Sequence, residues 1–458
     1  MNRIDEDWDE LGAILDAARE EAGRHLAGLR QRAVVAAPHE LPTPALSEEG
    51  DGARAAMVRF VRDYAPFLSA SPGPRYLGFV TGGATPAALA ADWLVSAYDQ
   101  NVSHDGGSIA GAAERHALSM LRELFGLPTA FEGVFVSCGT HANLVALATA
   151  RQWAYERLGF DVAERGLAGA PRVPVLSGAP HASVAKALAV LGWGRASFEH
   201  LPCIPGRQVI DPSALDVRLR AHDGPAVIVA NAGDVNTGDF DDIAALADIA
   251  KRHHAWLHVD GAIGLPVACV PSHAHLLDGV DRADSIAGDA HKWLNVPYDA
   301  GFVFTRHIDA QENALKVTAS YLGHGRDLIH RTTEGSRRFR ALPVLLSLLA
   351  YGRRGQRDIC ERSIACAHLL AERLPARYEL LAPARLNVVC FAPRGSGDAS
   401  VRDRILGALQ RDGCAYLTAT RLEGRPALRA AFSNWGTTAQ DVTSILEALD
   451  RAAQDSAC

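Results

Sequence analysis

The chain has 458 residues, of which 48% are hydrophobic and 22% are charged, as in an ordinary globular protein. This length suffices for one large hydrophobic core and a second, smaller lobe. The net charge of −7 argues against nucleic acid as a general partner, and no apolar run reaches the ~18 residues of a membrane span.

We expect the protein to work in the cytoplasm. Its first residues are acidic, which is the reverse of a signal or transit peptide. The eight cysteines contain no C-x-x-C pair, so the sequence indicates neither a zinc knuckle nor a disulfide framework. Reduced thiols and no metal site are therefore expected.

The first hundred residues are predicted to be mainly helical. Apolar residues recur at helical spacing over about 6–31, and further helices are predicted over about 51–68 and 86–99. The first helix has little of its own to pack on, so residues 1–100 are expected to form a helical segment that faces a second subunit. Residues 71–83, rich in Gly and Pro, suit a functional loop and a plain turn equally well.

Residues 101–335 are predicted to form the large domain. After a helix over about 109–125, short apolar runs alternate with helical patterns, which predicts a mainly parallel sheet covered on both faces. The continuous apolar character of the runs fits strands that are buried on both faces. The seven predicted strands are Gly133–Ser137, Arg172–Leu176, Phe198–Pro202, Ala226–Asn231, Ala255–Val259, Ala283–Ala287 and Gly301–Thr305.

Residues 336–458 are predicted to form a smaller C-terminal α+β domain. Helical patterns cover about 336–351 and 357–374. Strand candidates follow near 386–391, 414–418 and 427–432.

Lys292 is the strongest candidate for chemistry, because it stands between His291 and Trp293 just after a predicted strand. Most lysines are solvated, but Asp260 ends the preceding strand, and ligands bind at the carboxyl ends of strands in open α/β sheets. A desolvated lysine forms Schiff bases with aldehydes such as pyridoxal phosphate. A carboxylate at the pyridine nitrogen keeps that ring an electron sink. Lys292 and Asp260 are therefore interpreted as a pyridoxal-phosphate pair.

Gly139 and Thr140 begin a helix directly after the first predicted strand. The free amides and the positive dipole at a helix N-terminus favour a phosphate group. The alternative is an ordinary strand-to-helix turn with Thr140 as its cap. No Walker loop or G-x-G-x-x-G motif follows a strand, which disfavours nucleotide binding.

Other polar residues at the same sheet edge allow two interpretations. His181 could stack on a planar cofactor or could be an ordinary core or surface histidine. The segment Asp234–Thr237 could contribute to a site or form an Asx-type turn. Cys138 is placed as a nucleophile would be, but no paired base is visible, so a thiol hydrolase has little support. The histidines at 253, 254 and 258 lack further ligands at metal-binding spacing and are interpreted as structural.

The order of these motifs resembles that of the group II pyridoxal-phosphate decarboxylases, which include the aromatic-amino-acid, tyrosine, glutamate and diaminobutyrate decarboxylases. The resemblance runs from about Arg75 to Trp435, and the set is specific although each motif alone is weak. The motifs are Gly139-Thr140-x-Ala142-Asn143, His181-x-Ser183, Ala232-Gly233, Asn236-Thr237-Gly238, His258-Val259-Asp260-x-Ala262, Ala283-Asp284-Ser285, His291-Lys292-Trp293 and Ser336-Arg337-Arg338-Phe339-Arg340-Ala341-Leu342.

The resemblance implies an aspartate-aminotransferase-like α/β fold (fold type I) and a homodimer with its active site at the interface. It implies pyridoxal 5'-phosphate as cofactor, Lys292 as the Schiff-base lysine and Asp260 as the partner of the ring nitrogen. The remaining roles fall into three groups: His181 and Ala262 on the two faces of the ring, Gly139, Thr140, Ser285 and His291 around the phosphate, and Phe79 and Thr81 in the substrate pocket.

The reaction implied by the resemblance is decarboxylation of an L-amino acid to an amine and carbon dioxide. The apolar, aromatic segment Tyr76–Phe79 favours an aromatic or hydrophobic substrate. The alternatives are another carbon–carbon lyase reaction on the same cofactor and a non-catalytic relative that retains the fold.

Three departures from the family pattern concern the reaction itself. Asp234-Val235 replaces Thr-Thr, and Asp289-Ala290 replaces Asn-Pro. The loop tyrosine that returns a proton to the substrate carbon is replaced by Leu328.

Tyr321, His324 and His330 are the nearby acids that could replace the loop tyrosine. We expect His324 or His330, from this subunit or its partner, to supply the proton, since imidazole titrates near neutrality. The alternatives are that both histidines are ordinary loop-surface residues and that dioxygen intercepts the substrate carbanion. The second of these would give oxidative deamination to an aldehyde.

Overall fold

The computed structural model describes residues 2–36, 39–41, 43–320 and 326–455. Its α-helices are α1 (Arg3–Asp9), α2 (Leu11–Ala27), α3 (Ala53–Asp63), α4 (Pro86–Tyr98), α5 (Ala110–Leu124), α6 (Gly139–Glu156), α7 (Val162–Arg165), α8 (Ala182–Val190), α9 (Pro212–Arg220), α10 (Ile243–Arg252), α11 (Ile308–Leu315), α12 (Ala341–Glu372), α13 (Ala399–Asp412) and α14 (Ala439–Asp455). Its strands are β1 (Glu132–Val136), β2 (Val175–Ser177), β3 (Phe198–His200), β4 (Val227–Asn231), β5 (Trp256–Asp260), β6 (Ser285–Asp289), β7 (Gly301–Thr305), β8 (Tyr378–Leu380), β9 (Val388–Pro393), β10 (Thr418–Leu422) and β11 (Arg425–Ala431).

The predicted α/β fold with a mainly parallel seven-stranded sheet is confirmed. The strand order is β1-β7-β6-β5-β4-β2-β3. Strands β6, β5, β4, β2 and β3 pair in parallel, whereas β7 runs antiparallel to both of its neighbours. Strands β4, β5, β6 and β7 are buried at every residue, because helices cover both faces of the sheet. The carboxyl ends of the parallel strands β4, β5 and β6 meet at one edge, where a ligand site is expected.

A four-stranded antiparallel sheet, in the order β10-β11-β9-β8, forms the smaller C-terminal domain. One prediction in this region was wrong. Residues 414–418 carry only a single bridge, between Tyr416 and Tyr76, and the strand proper begins at Thr418. Helix α12 consists of two helical segments that meet at Gly352, where φ is +59° and the backbone is not helical, so the prediction of two helices with a break after about residue 351 is confirmed. Strand β8 and helices α13 and α14 had no counterpart among the predicted elements.

The N-terminal helices α1, α2 and α3 contain no buried residue. Large apolar side chains stay exposed on them, among them Trp8, Leu15 and Val58. The periodicity that predicted these helices is therefore a real apolar pattern, most of which stays exposed within the described residues. In the described part of the chain, no helix has the length and apolar character needed to span a membrane.

Candidate active site

A cavity of about 280 Å³ lies at the carboxyl ends of the central parallel strands. Side chains from the large sheet, from the starts of two helices and from strand β11 of the small domain line it. Lys292 and Asp260 both face it, as the sequence predicted. The cavity therefore brings a primary amine and a carboxylate together at the sheet edge that binds ligands in such folds.

Lys292 lies in a tight turn directly after β6. The turn is anchored by Trp293, whose indole is fully buried and donates to Ser363 Oγ at 3.0 Å. Gln356 Nε2 donates to the carbonyl oxygen of Trp293 at 2.9 Å. With its neighbour fixed by α12, Lys292 is held with 18% of its side chain exposed and Nζ 3.4 Å from Asp289 Oδ2.

Asp260 is held at the end of β5 by two donors. The backbone amide of Ala262 donates to Oδ1 at 3.1 Å, and Asn143 Nδ2 donates to Oδ2 at 2.8 Å. Each carboxylate oxygen accepts one hydrogen bond from the described residues and keeps a lone pair for a further donor. This leaves the carboxylate able to receive an N–H from a bound ring.

Asn143 is itself oriented by a buried chain of hydrogen bonds. Its Oδ1 is 2.8 Å from His258 Nε2, and His258 Nδ1 is 2.9 Å from Ser285 Oγ. Trp256 Nε1 donates to the same hydroxyl at 3.1 Å. Burial lowers the pKa of His258 to about 4, so this imidazole is neutral and donates through Nε2 while Nδ1 accepts.

His181 caps helix α8 and depends on the same asparagine. Its Nδ1 accepts from the backbone amide of Ser183 at 3.3 Å and lies 2.7 Å from Ser183 Oγ, which in turn accepts from Asn143 Nδ2 at 2.9 Å. Because Nδ1 is an acceptor, the hydrogen of the neutral ring is on Nε2. The pKa of His181 is lowered, mainly by burial. The positive charge of Lys292 lowers this pKa further, whereas the negative charge of Asp260 opposes the shift. A neutral, oriented imidazole thus lines the cavity.

The N-terminus of helix α6 opens into the cavity through Gly139 and Thr140. The amide of Gly139 donates to Asp289 Oδ2 at 3.1 Å. A Cβ on Gly139 would come within 2.8 Å of that carboxylate oxygen, so the close approach requires glycine. Asp289 and His291 lie beside this helix end, with Asp289 Oδ1 at 3.1 Å from His291 Nδ1.

The mouth of the cavity is formed by the Gly- and Pro-rich segment after α3. Phe79 and Val80 have φ values of +61° and +58°, a region that is unusual for side chains of this size. Phe79 lines the cavity and is 61% exposed. Thr81 instead lines an adjoining cavity of about 640 Å³, where its Oγ1 lies 3.2 Å from Tyr298 Oη. His291 borders both cavities, so they meet at its ring.

Arg429 brings a cation into the cavity from strand β11. Its Nη1 donates to the carbonyl oxygen of Val235 at 3.2 Å, whereas its buried Nε has no hydrogen-bond partner among the described residues. Burial lowers the pKa of this guanidinium, as expected for a charge with incomplete compensation. No sequence signal pointed to Arg429, because nothing in its own strand distinguishes it from a structural arginine.

Most of the predicted site residues meet at this cavity, namely Phe79, Gly139, Thr140, His181, Asp260, Ala262, His291 and Lys292. The structure corrects the predicted role of Ser285 as a phosphate-binding residue. It begins β6, at the opposite end of the strand from Asp289, and its buried hydroxyl is used by Trp256 and His258. It therefore orients Asn143 and does not line the cavity where a phosphate would bind.

The predicted acids are placed less favourably. His330 is half-buried, and its Nδ1 accepts from the amide of Val317 at 3.2 Å. It does not line the cavity of its own subunit. Leu328 is packed in the hydrophobic core. His324 and Tyr321 lie outside the described residues.

Side-chain contacts bear on two further interpretations from the sequence, although Val235 within the Asp234–Thr237 segment also lines the cavity. Asp234 accepts from the amides of Asn236 at 3.0 Å and Thr237 at 2.7 Å, which is an Asx-type turn. His253 Nε2 lies 2.9 Å from Asp216 Oδ1 near the surface, whereas the buried His258 contacts Asn143, so the two histidines do not share a site. The predicted structural interpretation of these histidines agrees with both contacts.

The residues present fit pyridoxal phosphate. A free carboxylate lone pair at Asp260 suits a protonated ring nitrogen, and the amine of Lys292 suits an aldehyde. The N-terminus of α6, where Gly139 allows close approach to the backbone, suits a phosphate, although the Gly139 amide already donates to Asp289 Oδ2.

Comparisons with known proteins agree with this chemistry. The family model described as the pyridoxal-dependent decarboxylase conserved domain matches residues 39–394. The chain is 30% identical over 412 residues to the aromatic-L-amino-acid decarboxylase of Bacillus atrophaeus, covering 83% of this chain and 82% of that protein. It is 28% identical over 428 residues to the L-2,4-diaminobutyrate decarboxylase of Rhizobium meliloti, covering 90% and 84%. The crystal structure of Oryza sativa TDC with PLP and tryptamine shares the fold, with a TM-score of 0.88, 24% identity and 98% of each chain covered.

Proposed function

The chain belongs to the pyridoxal-dependent decarboxylase family, and from that premise we propose that its substrate is an aromatic L-amino acid. It is a pyridoxal-phosphate-dependent amino-acid decarboxylase, a lyase. The names of its relatives range from aromatic amino acids to diaminobutyrate, so membership of the family leaves the side chain of the substrate open.

The observation that supports an aromatic substrate is a cluster of aromatic side chains around Phe79, which lines the cavity. The rings of Tyr76 and Tyr416 have centroids 4.7 Å apart, and Phe79 lies 6.0 Å from Tyr416. Burial raises the pKa of Tyr76, and the nearby phenols of Tyr416 and Tyr298 contribute to the shift. Aromatic pairs at such spacing attract one another beyond the area they bury, so a substrate ring has partners here.

Pyridoxal phosphate supplies an aldehyde that condenses with the substrate amine and a ring that accepts the electron pair released at the α-carbon. In this proposal Lys292 would hold the cofactor between turnovers, and the carboxylate of Asp260 would favour a proton on the ring nitrogen. His181 would lie against the ring as a neutral imidazole and so would add no positive charge beside the substrate carboxylate. Ala262 would lie on the other face, and Gly139, Thr140 and His291 would hold the phosphate.

The α-carbon must gain a proton after carbon dioxide leaves, and Tyr298 is our candidate for the donor. Its hydroxyl lies 3.2 Å from that of Thr81, and its ring is 4.3 Å from the ring of His291. A positioned acid contributes roughly 10²–10⁴-fold to such a step. His324 and His330 remain alternatives. Tyr298 lines the adjoining cavity, whereas His330 lines neither cavity of its own subunit and would have to act from the partner subunit.

A second candidate substrate class is an amino acid with an acidic side chain. Arg429 supports it, because its Nε is buried and has no hydrogen-bond partner among the described residues. A guanidinium with free N–H groups in a small cavity is well suited to a carboxylate. The aromatic class is favoured since Phe79 lines the cavity and Tyr298 lines the adjoining one, whereas Arg429 can serve the α-carboxylate that every amino acid carries.

We also propose that the active unit is a homodimer with the active site near the interface. The exposed apolar side chains of α1, α2 and α3 support this, as does the exposure of Phe79 at the mouth of the cavity.

The test is a panel of aromatic, acidic and basic L-amino acids, with carbon dioxide release and the organic product measured for each. We expect the highest kcat/KM for an aromatic substrate and amine as the product. The matched variant Lys292→Ala should lose both the visible absorbance of lysine-bound cofactor and all turnover. A strong preference for glutamate or diaminobutyrate would contradict the aromatic proposal, and a Lys292 protein that takes up no cofactor would contradict the cofactor roles.

The same panel tests the proton donor and the alternative oxidative chemistry. In Tyr298→Phe we expect turnover to fall by about 10²-fold or more, and the product to shift toward aldehyde with consumption of dioxygen and release of ammonia and peroxide. His324→Gln and His330→Gln are the comparison variants, and loss of amine formation in either of them alone would transfer the role to that histidine.

A further inference from the structure

Two hydrogen-bond acceptors face each other beside the N-terminus of α6. Asp289 Oδ1 lies 3.1 Å from His291 Nδ1. His291 Nδ1 already accepts from the backbone amide of Ala300 at 3.3 Å, so it carries no hydrogen of its own. Asp289 Oδ1 is buried and has no donor among the described residues. A contact of this kind is repulsive unless a proton lies between the two atoms.

The second oxygen of Asp289 accepts a hydrogen bond from the backbone amide that would otherwise be available to a phosphate. Oδ2 accepts from the amide of Gly139 at 3.1 Å, and the carboxylate side chain is 3% exposed. A phosphate that approaches Gly139 and Thr140 thus meets a buried carboxylate at close range. Two anions in one desolvated site repel each other strongly.

The surrounding charges compensate for only part of this repulsion. Lys292 Nζ lies 3.4 Å from Asp289 Oδ2, and His181 is close enough to sense the charge of Asp289. Asp299 lies near His291 in the following turn, but its charge is paired with Arg340, whose Nε donates to Oδ1 at 2.9 Å. Arg429 brings a further cation into the same cavity. The N-terminal dipole of α6 contributes about half a positive charge. Asp289 and a doubly charged phosphate still carry slightly more negative charge than Lys292, Arg429 and this dipole supply.

We propose that the cofactor's phosphate binds together with one proton, which is held between Asp289 Oδ1 and His291 Nδ1. The inference rests on the proposed position of the phosphate at Gly139 and Thr140. The proton comes from solvent, turns the acceptor–acceptor contact into an O–H···N or N–H···O bond, and removes one negative charge from the phosphate seat. No bond to the cofactor changes in this step.

Proton uptake on binding makes the affinity for the phosphate depend on pH. The second pKa of a phosphate monoester is about 6, so above pH 7 the phosphate of the free ligand is already a dianion. By linkage, a complex that binds one proton more than its separated parts loses affinity as pH rises, by up to about tenfold per pH unit. This loss of affinity should occur only for a ligand that carries the phosphate, and not for one that has the pyridine ring alone.

The experiment compares pyridoxamine 5'-phosphate with pyridoxamine, which lacks the phosphate, on the apoprotein between pH 7 and 9. Neither ligand condenses with Lys292, and their shared ring and amine cancel in the ratio of the two dissociation constants. The affinity advantage given by the phosphate should shrink by up to about tenfold per pH unit in the wild type. Calorimetry in buffers of different ionisation enthalpy should count about one proton taken up with the phosphate.

Asp289→Asn is the decisive variant. The amide Oδ1 can still accept from Gly139, while its N–H₂ can donate to His291 Nδ1, so the contact is satisfied without a proton. We expect the phosphate advantage in this variant to be constant within about twofold between pH 7 and 9 and to exceed that of the wild type at pH 9.

A flat pH dependence in the wild type, or the same slope in Asp289→Asn, would overturn the inference while leaving the proposed function in place. Failure of the wild type to bind pyridoxamine 5'-phosphate at any pH would overturn both. The proton count is measured on the wild type alone, so the inference stays testable if the variant does not fold.

Discussion

Asn143 connects the two functional side chains that the sequence placed on separate strands. Its Nδ2 donates both to Asp260 and to Ser183, and Ser183 fixes the imidazole of His181. Its Oδ1 is held by the neutral His258. The orientations of Asp260 and His181 are thus set by one amide, which aspartate could not replace because it lacks the N–H donors.

A different buried carboxylate should control the pH dependence of stability. Asp241 follows β4 and accepts from the amides of Asn231 at 2.7 Å and Ile210 at 2.6 Å. Burial raises its pKa to about 7, with the charges of Asp239 and Asp234 adding to the effect. The folded state therefore binds this proton more tightly than the unfolded state.

We predict that the wild type loses stability as pH rises from about 5 to 8, by up to a few kcal/mol from Asp241. The contribution is fully present below the unfolded pKa near 4 and is lost as pH rises through the folded value. Asp241→Asn should be less stable at pH 5, since its N–H₂ faces a backbone amide, but its thermal midpoint should vary less with pH. Asp248→Asn, at an exposed position, is the control. An equally steep pH dependence in Asp241→Asn would contradict the assignment.

Among the structural elements, the segment before α4 is fitted closely to the lysine turn. Gly82 lies against the backbone of Lys292, and a Cβ at this position would overlap the Lys292 carbonyl oxygen. The amide of Thr85 donates to the carbonyl of Asn295 at 2.9 Å, which ties the same segment to the far side of the turn. This contact explains why a stretch rich in Gly and Pro is not a simple linker.

Gly82→Ala is predicted to displace Lys292 and to weaken retention of the cofactor. Overpacking of this kind costs about 1–3 kcal/mol or more, because the obstacle is backbone. Gly107→Ala, where an added Cβ meets nothing within 4 Å, is the matched control. Thermal midpoint and cofactor content after gel filtration are the measurements. Full retention of cofactor in Gly82→Ala would show that the segment can move aside.

The Arg-Arg-Phe-Arg motif joins the small domain to the large sheet through a buried ion pair. Arg337 donates to both oxygens of Glu114 at 2.9 Å, and both side chains are fully buried. Glu114 Oε1 also accepts from the amide of Phe135 in β1 at 3.0 Å. The pair therefore connects α5, β1 and the entry to α12.

Glu114→Gln should destabilise the protein by about 3–5 kcal/mol, since it leaves a buried guanidinium without its counter-charge. Asp105→Asn, which removes an exposed partner of Arg115, should cost no more than about 1 kcal/mol. Chemical denaturation of both variants checks the contrast. Equally small losses of stability in the two variants would show that water solvates the charge of Arg337 when Glu114 is replaced.

At the scale of the whole molecule, the exposed apolar side chains of helices α1, α2 and α3 lead to a prediction about assembly. Trp8→Glu and Leu15→Glu should each raise the dissociation constant of the dimer by at least about tenfold, since a buried unpaired charge costs more than about 1.4 kcal/mol. Val217→Glu, at a similarly exposed position on α9, should have no effect. Sedimentation equilibrium with cofactor content is the measurement. A monomeric wild type that retains full activity would contradict the homodimer.

The sequence by itself determined the sheet and most of the residues around the cavity. Buried parallel strands are continuous apolar runs, and the residues just after them fall at one edge by topology alone. Lys292, Asp260, His181 and Gly139 could therefore be found from local pattern. The helices α1 and α2 were also visible, because amphipathic spacing shows in the sequence whether or not a partner is present.

Only the tertiary structure decided which side chains meet. Ser285 lies at the start of β6 and Asp289 at its end, about 13 Å apart at 3.3 Å per residue, so the strand boundary changed the role of the serine. Arg429 enters from β11, and Asp289 faces His291 across a turn. Contacts of this kind depend on the packing of separate elements, which local periodicity does not encode. For that reason the fold and cofactor followed from the sequence, whereas the charge balance of the site followed only from the structure.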